Sequence, residues 1–436
     1  MSDYLFQLES HLSSAQQQTL GHVQAAAADA GVSLFLTGGA MRDMLGGFPI
    51  RDLDFTVEGN ALKMAKPIAQ RANAEIVSTD HVRRSVEFLF QGSVTVELSM
   101  ARQERYPKPA SRPVVTPSTI YEDLRRRDFT VNSIAMSLNR SSRGLLIDPN
   151  NGQGDLDRRE LRVVSGYVFY DDPVRMLRAV RFGVRLRFAM DERTSFQFNA
   201  AAEAGMPSKI TPQSLGSELR HIADEPSPGD VMKALEDQKL LGLFSPALAG
   251  GKLSLAGLQK LQKMRHLIPF GVDFPVENFS IFLNCLCEKL SAQECSQLAR
   301  ACALSRAAVN AWQKLDGQAK KLERSLKSSK LQRPSLLYQA FSDVPGDQIL
   351  QLLLRSEERL VLDRIKNYLQ KYLPAAQEIS EKEAAAQTGL TPGTPKFRKA
   401  HLELIAQRLD SRPRKVQPTP PPEPVLAAAG GRGRLR

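Results

Sequence analysis

The spacing of apolar positions changes along the chain and predicts two kinds of structure. Residues 1–30 have the 3.6-residue period of helices, and Gly31 is a stop signal. From there to about residue 165, short apolar runs that suit strands alternate with helical segments, a pattern typical of an α/β layer domain. The predicted strands contain the runs SLFLTGG, LDFTV, AEIVS, VEFLF, VTVELSM, GLLIDP and ELRVV.

After Asp171 the strand signals fade and the helical period dominates. Segments such as DPVRMLRAVRFGVRLRF, TPQSLGSELRHIAD and PKFRKAHLELIAQRL predict that the second half of the chain is all-helical. Residues 106–120 contain four prolines and are predicted to form a loop within the first part. Residues 411–436 are proline-rich, then alanine- and glycine-rich, and end in alternating arginines, which predicts a disordered basic tail.

Composition narrows the class of protein. The chain has 436 residues, of which 42% are apolar, which is enough for roughly two to four domains with buried cores. The formal net charge of +12 favours a polyanionic partner, because Lys and Arg gain free energy by releasing counterions from phosphates. Charge that serves solubility alone is the alternative.

The cysteines and the amino terminus indicate the compartment. All four cysteines lie between Cys285 and Cys302, and their spacing suits neither a zinc knuckle nor a redox pair, so we expect buried or idle thiols in a reducing compartment. The amino terminus has no basic region followed by an apolar run, and no stretch is long enough to cross a bilayer. We therefore expect a cytoplasmic protein without a membrane partner.

Residues 36–55 read LTGGAMRDMLGGFPIRDLDF and combine a glycine pair, an arginine and two aspartates. SLFLTGG predicts a strand that runs into a glycine turn, and AMRDML predicts the helix that follows. Gly38 and Gly39 would let backbone amides approach an anion, to which the start of the helix adds its positive end. Together with Arg42 this pattern predicts a phosphate site, although glycine turns are also common between ordinary elements.

Asp52 and Asp54 are two residues apart on a predicted strand, so their side chains point to the same face. Adjacent carboxylates repel each other unless a cation lies between them. Two divalent cations roughly 4 Å apart would remove the repulsion, activate an attacking hydroxyl and stabilise a leaving pyrophosphate. An isolated Asp-X-Asp is usually a solvated turn, but its position behind a glycine turn favours a metal site.

The segment RRRDFTVN, residues 125–132, alternates the apolar Phe129 and Val131 with polar residues. We interpret it as a strand or a strand-to-helix corner with one polar side. Arg127 and Asp128 could hold ribose hydroxyls and phosphate by charge-assisted hydrogen bonds. A surface salt-bridge cluster is the alternative.

The segment DDPVRMLRAVRF, residues 171–182, predicts a helix that begins near Asp172 and Pro173. Arg175, Arg178 and Arg181 follow at three-residue steps along one broad face. An aspartate and an arginine one turn apart offer an acceptor beside a donor fork. This pair would suit cytosine and adenine and would reject guanine and uracil. A capped helix with a basic solvated face is the alternative.

Several motifs together resemble a known family. GGAMRD with DLDF, RRDFTVN, LIDPNNGQGDLDRRELR and DDPVRMLRAVRF, in this order and spacing, resemble the class II tRNA nucleotidyltransferase and bacterial poly(A) polymerase family. The close motifs cover about residues 33–190. The resemblance implies an α+β fold, in which a polymerase β-type nucleotidyltransferase head precedes an all-α neck, body and tail. The ranges are 1–165 for the head, 166–222 for the neck with a nucleotide-selecting helix, 223–410 for the body and tail, and 411–436 for the disordered basic tail.

The resemblance also implies a role for each residue. Asp52 and Asp54 would bind Mg²⁺, and Glu97 would be the third carboxylate unless it pairs with Arg102. The tRNA acceptor arm would lie on the helical half, and its 3′-hydroxyl would attack the α-phosphorus in line. The implied nucleotide contacts are Gly38, Gly39 and Arg42 for the triphosphate, Arg127 and Asp128 for the sugar and phosphate, and Asp172 and Arg175, assisted by Arg178 and Arg181, as the template that reads CTP and ATP.

The chain departs from the family at two places, and several activities share its chemistry. Asp171 stands where the family usually has glutamate, and the turn in DHVRRSVEF lacks the usual glycine. The leading prediction is complete CCA addition, with CC-only addition, A-only addition or polyadenylation as alternatives. The basic tail favours polyadenylation, whereas ARQERYPKPASRPVV resembles the flexible loop of complete CCA-adding enzymes. An inactive RNA-binding protein is a remote alternative, because binding alone does not require a metal pair.

Overall fold

The computed structural model describes residues 3–411, and this part of the chain divides into two compact units. Unit 1 contains residues 3–266 and 276–318, and unit 2 contains residues 267–275 and 319–411. Apart from Ser411, the predicted disordered tail lies outside the described residues. Within residues 3–411, no helix has both the length and the apolar character needed to cross a membrane.

The first part of unit 1 mixes strands and helices, as the apolar runs predict. Two helices, α1 (Asp3–His11) and α2 (Ser14–Asp29), precede the first strand. The strands are β1 (Ser33–Thr37), β2 (Leu53–Glu58), β3 (Glu75–Asp80), β4 (Ser85–Phe90), β5 (Val94–Met100), β6 (Arg102–Arg105), β7 (Val114–Pro117), β8 (Ala135–Ser137), β9 (Leu146–Ile147), β10 (Glu160–Leu161) and β11 (Ala189–Met190). The helices among them are α3 (Gly38–Leu45), α4 (Ala61–Ala72), α5 (Ile120–Arg125), α6 (Gly152–Arg158), α7 (Val168–Asp171) and α8 (Val174–Leu186).

A seven-stranded mixed sheet organises this part, with the strand order β3-β4-β5-β2-β1-β8-β9. β2 and β5 run parallel, and the other neighbours are antiparallel. Because strand side chains alternate between faces, Val96 and Leu98 of β5 are buried in the core while Glu97 and Ser99 point to the other face. Helices α2 and α4 pack against the sheet and each other. The opposite, polar face is therefore free to carry a site.

The predicted loop over residues 106–120 is partly wrong. β6 and β7 form an antiparallel hairpin whose register runs from Arg102 opposite Pro117 to Arg105 opposite Val114, and α5 begins at Ile120. The connecting segment is therefore only residues 106–113. The prolines suggested a loop, but proline is tolerated at the end of an edge strand in a two-stranded hairpin.

The all-helical prediction after Asp171 is confirmed, except for the short strand β11, which pairs with β10. All four cysteines lie on or beside two of these helices, and none of them forms a disulfide bond within residues 3–411. The helices of unit 1 are α9 (Glu192–Glu203), α10 (Pro212–Ala223), α11 (Pro228–Asp237), α12 (Leu255–Arg265), α13 (Asn278–Leu286) and α14 (Ala292–Ala301). The division between the units falls within α15 (Arg306–Leu326), and unit 2 then contains α16 (Pro334–Ser342), α17 (Gly346–Arg355), α18 (Arg359–Asn367), α19 (Leu373–Gln377), α20 (Glu381–Thr388) and α21 (Pro395–Asp410).

Candidate active site

A cleft of about 660 Å³ lies within unit 1, on the polar face of the sheet. Strands β2 and β5, helix α3, the segment 125–132 and helix α8 all contribute side chains to it. The structure brings all twelve residues that the sequence analysis singled out together in this cleft. They are Gly38, Gly39, Arg42, Asp52, Asp54, Glu97, Arg127, Asp128, Asp172, Arg175, Arg178 and Arg181.

The glycine turn between β1 and α3 lets the backbone approach the side chains of the cleft closely. Gly38 has a φ of +65°, and a Cβ there would lie 2.9 Å from Nη1 of Arg127 and 3.1 Å from Oδ2 of Asp54. The backbone N–H of Gly39 donates to the same Oδ2 of Asp54 at 2.9 Å. The turn therefore sits directly against the carboxylate.

The carboxylates form a row across two parallel strands. Asp54 in β2 and Glu97 in β5 are register partners, and Asp52 precedes β2 on the same side as Asp54. Burial, followed by the charges of Glu97 and Asp52, raises the pKa of Asp54 to about 7. The protein's own positive groups therefore do not fully compensate the negative charge of the three carboxylates.

This deficit fits the binding of a divalent cation. Asp52, Asp54 and Glu97 supply the hard oxygen donors that Mg²⁺ prefers, and a cation there would lower the raised pKa of Asp54. Residues 3–411 contain no group of three or more Asp, Glu, His or Cys side chains already arranged as a metal site. The donor chemistry supports the metal prediction, and the coordination itself stays a prediction.

Arg127 and Asp128 are held by other protein groups. Nη2 of Arg127 donates to Oδ2 of Asp123 at 3.0 Å and to Oγ1 of Thr56 at 3.2 Å. Asp128 is buried, and its Oδ2 accepts from Nη2 of Arg178 at 2.6 Å and from Nε at 2.8 Å. Burial alone would raise the pKa of Asp128, but the cations of Arg178 and Arg175 and the hydrogen bonds from Asn132 and Arg178 together hold the pKa below its usual range. Asp128 therefore stays ionised and orients Arg178.

Arg181 is a buried ion-pair residue. Its Nε donates to Oε1 of Glu218 at 2.6 Å, and its Nη1 donates to Oε1 of Glu225 at 2.8 Å. Glu225 also lies 3.4 Å from Nη2 of Arg51 and 4.0 Å from Nε of Arg185. Sequence reasoning missed both glutamates. The row of arginines could have indicated them, since arginines on a buried helical face require acidic partners.

Asp172 and Arg175, the pair expected to read the nucleotide base, make fewer contacts with other protein groups than the arginines described above. Nη2 of Arg175 donates to the main-chain oxygen of Arg126 at 3.3 Å. No ion pair involves Arg175 or Asp172 within residues 3–411, and Asp172 is half-buried at the start of α8. Both side chains therefore retain hydrogen-bonding groups for a ligand.

Arg42 is enclosed beneath the glycine turn. Its Nε donates to Oδ1 of Asp43 at 2.8 Å, its Nη1 donates to Oδ1 of Asn132 at 2.7 Å, and its guanidinium lies 5.1 Å from the Phe182 ring centroid. Asp43 in turn accepts from Nη2 of Arg185 at 2.7 Å. Asp43 directly follows Arg42 in the GGAMRD motif, but nothing local indicated that it would hold two arginines.

The base of the β6–β7 hairpin supplies a second missed cluster. Glu104 accepts from Nε of Arg102 at 2.8 Å, from Nη1 of Arg126 at 3.2 Å and from the Tyr106 hydroxyl at 3.0 Å. Burial opposes ionisation, but the cations of Arg126 and Arg102 lower the pKa of Glu104 to about 2. Arg102 thus pairs with Glu104 and leaves Glu97 to the carboxylate row. Nothing in RQER itself indicates this cluster, because Arg126 lies 22 residues from Glu104 in sequence.

Part of the chain matches a known protein family. Residues 34–162 match the model described as the poly A polymerase head domain. The chain contains a poly A polymerase head domain. This head spans the strands of the seven-stranded sheet and the residues of the cleft up to the segment 125–132, while α8 and α10 complete the cleft from beyond it.

Curated relatives cover the head and part of the helical segments. The chain is 29% identical over 347 residues to an A-adding tRNA nucleotidyltransferase of Aquifex aeolicus, which covers 77% of this chain and 40% of that protein. It is 34% identical over 258 residues to an A-adding tRNA nucleotidyltransferase of Halalkalibacterium halodurans, with coverages of 57% and 60%. It is 33% identical over 221 residues to a multifunctional CCA protein of Thioalkalivibrio sulfidiphilus, with coverages of 49% and 51%. The matches thus span about half the length of these relatives.

A solved structure shows the same fold over nearly the whole chain. The apo form II of a CCA-adding enzyme matches with a TM-score of 0.53 and 24% identity, over 94% of this chain and 95% of that one. At 24% identity this match supports a shared fold and nothing more. It confirms the predicted fold class, a head with a mixed sheet followed by helical segments.

Proposed function

We propose that this protein is a tRNA nucleotidyltransferase that adds CCA to the 3′ ends of tRNA from CTP and ATP. The observation that carries the proposal is the cleft that brings together the carboxylate row, the glycine turn and the pair Asp172 and Arg175. The names of the relatives support tRNA as the acceptor. The acceptor arm is the part of tRNA that presents the 3′-hydroxyl.

Each group of the cleft has a defined task in this reaction. The glycine turn positions the triphosphate, with the already paired Arg42 supporting it from beneath, and Arg127, fixed by Asp123, lies within reach of Gly38. Asp172 accepts the exocyclic amino group of cytosine or adenine, and Arg175 donates to the adjacent acceptor. Arg178 is held by Asp128 beside this pair. The chain's residues thus bind and orient the two reactants for in-line transfer.

Asp52 and Asp54 hold Mg²⁺ in this proposal, with Glu97 as the third carboxylate. A bound divalent cation neutralises charge on the reacting phosphate and favours the ionised hydroxyl. The raised pKa of Asp54 supports this assignment, since the row of carboxylates needs a positive partner to be fully ionised.

Addition of A alone is the second candidate, and one observation favours it. The two relatives with the longest matches described above are both named as A-adding enzymes. The cleft does not separate the two activities, because a pair that reads cytosine and adenine suits both.

An extension assay separates these activities. Three tRNA transcripts, ending at the discriminator base, at C and at CC, receive CTP, ATP or both, and the products are resolved to single nucleotides. Complete addition predicts a ladder that stops at CCA on all three transcripts. A-only addition predicts growth only from the transcript that ends in CC. Long adenylate tails on any RNA would instead indicate a poly(A) polymerase.

Two aspartate variants control this assay. Asp54→Ala should abolish transfer while tRNA binding stays nearly intact, because a carboxylate of the row is lost without disturbing the RNA contacts. Asp157→Ala changes an exposed aspartate of α6 outside the cleft and should be as active as the unmodified protein. Absence of extension by the unmodified protein on every transcript would refute the proposed function.

A further inference from the structure

A cation on the rim of the cleft has no part in the reaction as described above. Arg83 lies in the turn between β3 and β4, lines the cleft, and has a side chain that is 48% exposed. Oδ1 of Asp80 accepts the backbone N–H groups of Val82 and Arg83 at 2.8 Å each, so Asp80 fixes the turn. Its Oδ2 lies 3.7 Å from Nη1 of Arg83. An exposed pair of this length holds the guanidinium weakly, so Arg83 can bind an anion in the cleft.

The sheet places Arg83 and the glycine turn on opposite sides of the carboxylates. In the order β4-β5-β2-β1, the turn of Arg83 precedes β4, and Gly38 follows β1. β2, which carries Asp54, lies between them. Ser85, two residues after Arg83, pairs with Ser99 of β5 rather than with any residue near Gly38. Asp54 is therefore flanked by the glycine turn on one side and by the rim with Arg83 on the other.

Arginine side chains also line the wall of the cleft next to this turn. The backbone N–H of Met100 donates to the main-chain oxygen of Arg84 at 3.2 Å, so the turn lies beside the strand that leads to Arg102. Arg102 pairs with Glu104, and Arg126 pairs with both Glu104 and Asp123. Nη1 of Arg102 is buried and has no hydrogen-bond partner within the described residues. This Nη1 group is therefore a hydrogen-bond donor on the same side of the cleft as Arg83 that no carboxylate of residues 3–411 occupies.

In-line transfer requires the attacking oxygen and the leaving pyrophosphate on opposite sides of the phosphorus. With the triphosphate at the glycine turn, the acceptor strand enters from the side of β5 and β4. Glu97 and Glu87 are register partners there, and their charges would repel an RNA backbone. We propose that Arg83 binds the phosphodiester backbone next to the 3′ end of the acceptor RNA. The assignment rests on the proposed function, since it takes the acceptor to be RNA.

Equilibrium binding of a tRNA transcript that ends at the discriminator base tests this assignment without nucleotide. Arg83→Ala should raise the dissociation constant about fivefold or more and lower the slope of log affinity against log salt by about 0.7, one phosphate on a single strand. Arg83→Lys should restore most of the affinity, because the charge is kept. The KM for CTP and ATP should be unchanged in both variants, which also shows that the head is folded.

Arg71→Ala is the matched control. Arg71 lies on α4 outside the cleft, is 39% exposed and pairs with Asp29 at 2.8 Å. Its replacement by alanine removes one positive charge, as Arg83→Ala does. The Arg83→Ala penalty should disappear on a transcript that lacks its last two nucleotides. Three results would each overturn the assignment. They are equal tRNA affinity of the Arg83→Ala and Arg71→Ala proteins, an Arg83→Ala penalty that persists on the shortened transcript, and a rise only in the nucleotide KM. Failure of the unmodified protein to extend any transcript would overturn the proposed function instead.

Discussion

Replacing Asp54 by asparagine should make the protein more stable at neutral and alkaline pH. Burial and the neighbouring Glu97 and Asp52 raise the pKa of Asp54 from 3.8 to about 7. The folded protein therefore binds a proton that the unfolded chain releases, and the free energy of unfolding falls as the pH rises from about 4 to about 7. Asparagine keeps the shape and can accept the Gly39 N–H without carrying the charge.

The magnitude follows from the size of the pKa difference. About three pKa units correspond to about 4 kcal/mol. Asp54 is half-buried and opens onto the cleft, where solvent screens part of the repulsion, so we expect about 2 to 4 kcal/mol above pH 7. In a large domain this is an increase in melting temperature on the order of 5 to 10 °C.

The assay is thermal unfolding with a chelator present, at about pH 8 and at about pH 4.5, where most of the difference should be lost. Asp123→Asn is the control of opposite sign. Burial disfavours the Asp123 carboxylate, but Arg126 and Arg127 lower its pKa, so its loss should destabilise at about pH 8 and progressively less in acid. An Asp54→Asn protein that melts at or below the unmodified protein at about pH 8 would refute the reasoning. Mg²⁺ should raise the melting temperature of the unmodified protein more than that of Asp54→Asn.

Three further predictions concern other parts of the cleft. Gly38→Ala should remove activity and lower the melting temperature more than Gly205→Ala, which has a similar φ of +70° but no atom within 4 Å of its Cβ position. Glu225→Gln should destabilise by about 3 kcal/mol, because it leaves buried arginines underpaired, whereas Glu236→Gln, in an exposed pair, should leave the melting temperature unchanged. Arg175→Ala should weaken discrimination among the four nucleotides in the extension assay, and an unchanged preference would end the template proposal.

Residues of the cleft could be predicted from sequence wherever the period of a strand or helix fixes the direction in which a side chain points. Asp52 and Asp54 are two residues apart, so the strand period places them on one side, and the three-residue steps of Arg175, Arg178 and Arg181 place all three on one helical face. The predicted helices and most strands formed for the same reason. Proximity between these local patterns required the motif resemblance, because it depends on the strand order of the sheet.

The partners of the buried charges were not predictable in this way. Asp43 receives Arg185 from 142 residues away, and Arg181 meets Glu218 across 37 residues. Neither separation leaves a periodic signal. Arg102 and Glu104 bury their side chains against each other, although RQER contains only charged and polar residues. Burial of a charged residue is decided by which distant partner reaches it, and only the folded chain shows that.

These pairings divide the arginines of the cleft into two groups with different physical tasks. Arg42 and Arg181 are buried and saturated by acidic or amide partners, so a ligand that claimed their guanidinium groups would leave buried carboxylates unpaired, at a cost of several kcal/mol. Within residues 3–411, the side chains of Arg175 and Arg83 have one weak partner each and lose little on binding. Ligand recognition should therefore depend on the second group, while the first keeps α3 and α8 in place. Substitutions in the first group should lower stability together with activity, and those in the second should change affinity at constant stability.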